Sequence, residues 1–108
     1  MTNQTIHVVA RFVALPDKVE ELKALLLGLI EPTGQEAGVI KYQLLQNQSD
    51  PTDFTFVEEW ESEAALDTHL ASRRLQVPIA KLEGLIATPP DIRRYSLLAG
   101  IPSIPLAE

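Results

Sequence analysis

A carboxylate flanked by large aromatic side chains is the feature of this sequence that most clearly indicates chemistry. In the segment FTFVEEW, residues 54–60, every second position is Phe54, Phe56, Glu58 or Trp60. On a β-strand these four side chains point to one side. Burial between Phe56 and Trp60 would disfavour the charged form of Glu58 and raise its pKa. A carboxylate in that setting is a candidate general base or general acid.

His69 is the second candidate for chemistry. It follows a predicted helix start and shares one helical face with Leu66 and Leu70, so we expect it to point toward the core. This helix comes directly after the strand that carries Glu58, and consecutive elements are usually neighbours in space. We therefore predict that Glu58 and His69 meet in one pocket.

Each of these residues also has a purely structural interpretation. An inward histidine is often a hydrogen-bonded core residue, and a tryptophan such as Trp60 is often core packing. Glu58 could instead form a structural ion pair with an arginine. The candidate partners for that ion pair are Arg11, Arg73 and Arg94.

Three other polar residues have weaker claims to a site. His7 is expected to be exposed or to lie at a dimer interface. Tyr42 and Tyr95, which the pattern assigns to two inner strands, could supply hydroxyl groups to a pocket, although buried tyrosines with local partners are common.

Composition limits the classes of function. The 108 residues include no cysteine, so disulfides, thiolate nucleophiles and Cys-based metal sites are excluded. The two histidines have none of the usual zinc spacings, and a metal held by both with carboxylates is a minor alternative. The net charge of −6 argues against a nucleic-acid partner. No Gly-rich phosphate loop or dinucleotide fingerprint appears, so we expect no cofactor.

The apolar runs indicate a cytoplasmic protein with no membrane partner. The amino terminus lacks the basic region and long apolar stretch of a signal peptide. The longest apolar run covers residues 25–30 and is far shorter than the ~20 residues that span a bilayer. We therefore expect a soluble, cytoplasmic chain.

Hydrophobic periodicity predicts the element order β-α-β-β-α-β. The first helix should follow Pro16, be capped by Asp17 with Glu20, and end near Pro32 and Gly34. The other elements are a second helix capped by Ser62, a further helical stretch after Pro78, a hairpin loop at 47–53, and strands at 6–14, 38–46, 54–60 and 92–98.

This order is that of a ferredoxin-like α+β fold, with a four-stranded antiparallel sheet and the helices on one face. Every predicted strand carries apolar residues on both faces, so the face without helices needs a second cover. We expect a homodimer formed through the sheet, with residues 1–98 as a single domain. The tail, residues 99–108, either contacts the partner subunit or is a frayed terminus.

The same residues carry a family resemblance. The spacing E-x-W-x8-H formed by Glu58, Trp60 and His69 resembles a signature of the antibiotic-biosynthesis-monooxygenase (ABM) family. Residues 36–42 (EAGVIKY) resemble the E-x-G-c-x-x-Y second strand of that family, and residues 16–18 (PDK) occupy the place of its P-G-K. The match extends over residues 6–98.

The resemblance implies a dimeric ferredoxin-like protein with a pocket between sheet and helices. Characterised members of this family include cofactor-independent monooxygenases that act on polycyclic phenols and quinols, so a small aromatic or quinone-like molecule and O2 are the implied partners. The resemblance makes Glu58 and His69 the polar pair of the pocket and Trp60 its aromatic wall. Phe56 and Tyr42 would also line the pocket.

Two positions depart from the family pattern. Many quinol-acting relatives have Pro-His where this chain has Arg73 and Arg74, so Arg74 could neutralise an anionic substrate or simply be solvated. The haem-degrading branch has a tryptophan in place of His69 and a ligating histidine where this chain has Ile79. Haem breakdown is therefore not expected.

Three functions remain as hypotheses. The first is a cofactor-free monooxygenase for a small phenol or quinol. The second is a dimeric ligand-binding or stress-related protein without catalysis, and the third is an isomerase or lyase of a small oxo compound. A cavity of roughly 300 Å3 or more, reached by both Glu58 and His69, would indicate a ligand site, whereas a filled interior would indicate a structural role.

Overall fold

The computed structural model describes residues 5–101, which form a single antiparallel sheet with helices packed on it. The strands are β1 (Ile6–Val13), β2 (Val39–Gln46), β3 (Asp53–Trp60) and β4 (Asp91–Tyr95), in the spatial order β2-β3-β1-β4. The helices are α1 (Val19–Leu27), α2 (Ile30–Gly34), α3 (Glu63–Ala71) and α4 (Arg73–Ile79). The predicted ferredoxin-like α+β fold is confirmed.

The alternation of residue types along β1 and β3 produces one buried face of the sheet. Every second residue of β3 is buried, and the antiparallel register pairs Val8 with Glu58 and Ala10 with Phe56. These four side chains lie on the inner face, beneath the helices. Glu58 is therefore a polar residue in the middle of an otherwise apolar surface.

Helices α1 and α3 cover this inner face with their apolar sides. Leu22 and Leu26 of α1 are buried, as are Leu66 and His69 of α3. The predicted cap of α3 is present, because Ser62 Oγ accepts a hydrogen bond from the Ala65 N–H at 3.1 Å. No helix among residues 5–101 has the length and apolar character needed to cross a bilayer.

The single first helix predicted after Pro16 is wrong in two respects. Lys18, not Asp17, occupies the cap position, and no side chain caps α1. The helix is also interrupted at Gly28, and Pro32 lies inside α2 instead of ending the helix. Proline has no N–H to donate to the carbonyl four residues earlier, which is that of Gly28, so the break falls at Gly28 while Pro32 fits the first turn of a new helix.

The helical stretch predicted after Pro78 is also wrong, because α4 begins at Arg73 and Pro78 is its second-last residue. The missing N–H of Pro78 leaves the Arg74 carbonyl without a donor, and the helix ends one residue later. Turns follow, and they still bury Leu82. Apolar spacing alone does not distinguish such turns from a helix.

The strands that carry Tyr42 and Tyr95 are the two edges of the sheet and not inner strands as predicted. Strand β4 ends at Tyr95 instead of residue 98. Its only neighbour is β1, and Tyr95 pairs with His7, the second residue of β1, so little of β1 remains beyond this pair. Residues 96–101 have no regular structure, and the remainder of the predicted tail, 102–108, lies outside the described residues.

Candidate functional site

A small cavity lies between the inner face of the sheet and the helices. Its volume is about 40 Å3, and thirteen of its sixteen lining residues are apolar. The three with polar side-chain atoms are Tyr42, Glu58 and His69. This volume holds a few water molecules and is well below the roughly 300 Å3 that a pocket for a drug-sized ligand provides. The prediction that Glu58 and His69 line one cavity is confirmed, but the cavity is smaller than a ligand pocket.

Glu58 is held by Trp60, two positions along the same strand, and has no cationic partner among residues 5–101. Only 5% of its surface is exposed, and the Trp60 Nε1–H donates a hydrogen bond of 2.8 Å to Oε1. Burial raises the pKa of Glu58 to about 7; the Trp60 hydrogen bond opposes this shift, and the charge of Glu36 adds to it. Two of the three arginines proposed as structural partners are engaged elsewhere, since Arg11 binds Asp53 and Arg94 binds Asp67, each at 2.9 Å. The third, Arg73, is exposed and lines a surface groove.

His69 is almost completely buried, and its hydrogen-bond partner is Glu36 rather than Glu58. Nδ1 lies 2.9 Å from Glu36 Oε1, and the two side chains are 3% and 16% exposed. The residues are 33 positions apart, and no spacing rule links them. The only sequence signal was the first residue of the EAGVIKY segment, to which no role was assigned.

Trp60 contacts both Glu58 and His69 but does not line the cavity. Its side chain is fully buried and is absent from the cavity lining. Its ring lies 4.6 Å from the His69 ring while its N–H binds Glu58. Trp60 therefore fixes both groups in place and is not the aromatic wall that the family resemblance implied.

The aromatic wall is formed by Tyr42 and Phe56. Their rings stack at 4.7 Å, and the Tyr42 ring also meets the His69 ring edge-on at 5.7 Å. Burial raises the pKa of Tyr42, and the charge of Glu58 raises it further. Tyr42 thus keeps its proton and is a hydrogen-bond donor at neutral pH.

The remaining residues proposed for the site lie outside the cavity. Arg74 is exposed and lines a surface groove of about 570 Å3 with Arg73 and Glu36. It reaches no group that the cavity contains. His7 lies on the opposite face of the sheet, 3.8 Å from Glu59, and is only partly exposed.

The two histidines therefore do not approach each other. Among residues 5–101, no group of three or more His, Asp or Glu side chains is arranged to hold a metal ion.

Comparisons with known proteins agree with this fold. The family model described as antibiotic biosynthesis monooxygenase matches residues 5–80. The uncharacterized protein sll1783 of Synechocystis sp. is 35% identical over 82 residues, which cover 76% of this chain and 56% of that protein. The protein named "Putative monooxygenase Rv0793" of Mycobacterium tuberculosis is 37% identical over 67 residues, covering 62% and 65% of the two chains. The chain thus spans about 56–65% of the length of these curated relatives.

Solved structures extend the likeness over almost the whole chain. The structure of Rv0793 superimposes with a TM-score of 0.83 at 29% identity, covering 89% of this chain and 97% of Rv0793. That of PA3566 from Pseudomonas aeruginosa has a TM-score of 0.85 at 27% identity, covering 92% and 99%. The element order and sheet described above are therefore shared with these proteins.

Proposed function

The chain belongs to the antibiotic biosynthesis monooxygenase family, and from this membership and the chemistry of the cavity we propose that it is a cofactor-independent monooxygenase of a small phenol or quinol. Glu58 accepts the proton of a substrate hydroxyl, and the electron pair of that O–H bond stays on the phenolate oxygen. The phenolate then passes one electron to O2, which gives a phenoxyl radical and superoxide. These two radicals combine at a ring carbon. One oxygen atom stays on the ring, and the other leaves as water with two substrate hydrogens.

The observation that carries this proposal is the environment of Glu58. A carboxyl group with a pKa of about 7 is half ionised at neutral pH, so it is a stronger base than an exposed glutamate and is still available to accept a proton. The apolar lining around it lowers the local dielectric, which strengthens its interaction with a bound hydroxyl. His69 and Tyr42 are placed beside it to orient the substrate oxygens.

The volume of the cavity restricts the substrate. The cavity of about 40 Å3 is well below the roughly 300 Å3 of a pocket for a drug-sized ligand, so its lining must move apart to admit a substrate. Ile92 lines the cavity yet is 45% exposed, so the cavity lies close to the surface at β4. We therefore favour a substrate with one ring over a polycyclic one.

We further propose that the protein acts as a homodimer. The face of the sheet opposite the helices carries Val9, Val13 and Val57, which are half-buried, and Leu45, which is 48% exposed. A second copy of the same face would cover these apolar side chains by two-fold symmetry.

The alternative function is a dimeric ligand-binding or stress-related protein without catalysis, and the small cavity favours such a non-catalytic role over an open active site. A site of 40 Å3 in which Trp60 and Glu36 already hold the two polar residues resembles a hydrogen-bonded core more than an open active site. An isomerase or lyase would use the same base on a small oxo compound, without O2.

Oxygen uptake tests the proposal. The purified protein, with no added cofactor, is given a panel of one-ring quinols and phenols in an oxygen electrode. We expect uptake that rises with pH through about 7, because only the ionised form of Glu58 is a base. Glu58→Gln should abolish the uptake, since an amide cannot accept the proton.

Glu59→Gln is the matched control, because Glu59 is the next residue on β3 and lies on the opposite face. It should retain full activity. Binding of panel members without oxygen consumption would instead support the ligand-binding protein, and conversion without oxygen consumption would support the isomerase or lyase.

A further inference from the structure

The hydrogen bond between His69 and Glu36 connects the cavity with the protein surface. His69 lines the cavity, and Glu36 lines the surface groove that contains Arg73 and Arg74. The two side chains are joined by the 2.9 Å contact between Nδ1 and Oε1. Among residues 5–101, Glu36 is the charged group that binds a cavity-lining polar residue from outside the cavity.

This contact determines which ring nitrogen of His69 carries the proton. A neutral imidazole has one N–H donor and one nitrogen acceptor, and an ionised carboxylate only accepts hydrogen bonds. Glu36 therefore keeps the proton on Nδ1 and leaves Nε2 with its lone pair. Nε2 of His69 has no hydrogen-bond partner among residues 5–101. His69 thus presents an acceptor to the cavity.

Glu58 presents a second acceptor to the same cavity. Its Oε1 is occupied by the Trp60 N–H, and Oε2 has no partner within the described part of the chain. The residue that faces Glu58 across the strand pair is Tyr42, whose ring also contacts His69. The carboxylate and the imidazole are thus arranged around the same aromatic wall.

We propose that Glu36 is a positioning residue that, by fixing His69 as a hydrogen-bond acceptor, makes the cavity select an aromatic diol with two free hydroxyl groups. One hydroxyl donates to Glu58 and the other to Nε2 of His69. A monoether of the diol leaves one acceptor unpaired, and the quinone leaves both unpaired. This inference rests on the proposed function for its substrate, but the tautomer that it requires is independent of any activity.

The backbone around Glu36 is built to hold this carboxylate in place. The Glu36 N–H donates to the Thr33 carbonyl at 3.0 Å, and the Gly38 carbonyl accepts from the Glu61 N–H at 2.8 Å. These bonds attach the segment to the end of α2 on one side and to the start of α3 on the other. The segment of Glu36 is therefore tied to the residues that immediately precede α3, the helix that carries His69.

Nitrogen NMR of the histidine side chains tests the tautomer directly. The chain has only two histidines, and a His7→Gln sample assigns the two rings. At a pH where both rings are neutral, we expect His69 to show a protonated Nδ1 and an unprotonated Nε2. The wild-type spectrum requires no variant that could fail to fold, and a protonated Nε2 would overturn the proposal.

Glu36→Gln should remove the preference, because an amide can either donate to Nδ1 or accept from it. The matched control is Glu61→Gln, which changes a glutamate in the same groove that has no contact with His69. The control should keep the wild-type tautomer. An unchanged tautomer in Glu36→Gln would show that Glu36 does not position His69.

Anaerobic calorimetry then measures selection with hydroquinone, its monomethyl ether and benzoquinone. We expect the wild type to prefer hydroquinone to the ether by roughly tenfold, because the ether leaves a buried acceptor unpaired. In Glu36→Gln this ratio should fall toward one. If no ring compound binds, the proposed function fails while the tautomer stands. If the ring compounds bind to the wild type with equal affinity, the inference that the cavity selects a diol fails, and the proposed function does not fail with it.

Discussion

At the scale of the residue, the raised pKa of Glu58 has a consequence for stability. Its pKa is about 7 in the folded chain and near the ordinary value of 4.5 in the unfolded chain. Between these values the folded state keeps a proton that the unfolded state releases, so the free energy of unfolding decreases as pH rises. The loss of unfolding free energy is small near pH 5 and reaches its full extent above pH 7.

Glu58→Gln should therefore stabilise the protein at high pH. The amide keeps an oxygen for the Trp60 N–H and is never ionised, so it avoids burying a charge. We expect its advantage over the wild type to be about 2 kcal/mol greater at pH 8 than at pH 5. Urea denaturation of both proteins at the two pH values measures this. An advantage independent of pH would contradict the raised pKa.

At the scale of the element, the approach to β2 depends on Gly38. Its φ of +90° is a conformation that other residues rarely adopt, and an added Cβ would lie 2.5 Å from the Ala65 Cβ of α3. Gly38 thus allows the segment of Glu36 to approach the helix of His69 closely. Without this approach the two side chains could not form their contact.

Substitution of Gly38 can be compared with that of Gly84, which has a φ of +87° but no atom within 4 Å of an added Cβ. Gly84→Ala should cost about 1 kcal/mol for the backbone conformation alone. Gly38→Ala should cost more, because it adds the clash with Ala65. Urea denaturation measures both.

A cycle with Ala65→Gly separates these causes. Removing the Ala65 methyl relieves the clash, so Gly38→Ala should be less harmful in the Ala65→Gly background, with a coupling of about 1–3 kcal/mol. Simple additivity of the two changes would show that the close approach is not the source of the cost.

At the scale of the whole molecule, the outer face of the sheet is the basis for the predicted homodimer. Val9 and Val57 are directly opposed on β1 and β3 at its centre, while ion pairs such as that of Arg11 with Asp53 lie toward one end. An apolar centre with charged surroundings is the composition of a protein–protein interface. The homodimer stays a prediction that follows from this face.

Val57→Lys should dissociate such a dimer, because two lysines would be buried near the two-fold axis. Analytical ultracentrifugation should give twice the chain mass of 11.9 kDa for the wild type and the mass of one chain for this variant. Leu27→Lys is the control, since Leu27 is 51% exposed on α1, away from the outer face. A wild type that sediments as one chain would exclude the dimer.

Local patterns were sufficient to predict several features of this protein. The alternation along β3 placed Glu58 among buried aromatic residues, and Ser62 marked the start of α3. The element order identified the fold. Such features depend on backbone periodicity and on contacts between residues a few positions apart, so they can be deduced from residue type and spacing.

Other features were decided only when the elements packed together. The partner of His69 is 33 residues away, Trp60 lies behind the cavity, and Arg74 lies outside it. The cavity of about 40 Å3 is the space left between side chains of several elements. The sequence by itself determined which side chains are polar and which face of an element they occupy. Only the tertiary structure decided which of them meet, because contacts between distant residues depend on how closely the helices pack on the sheet.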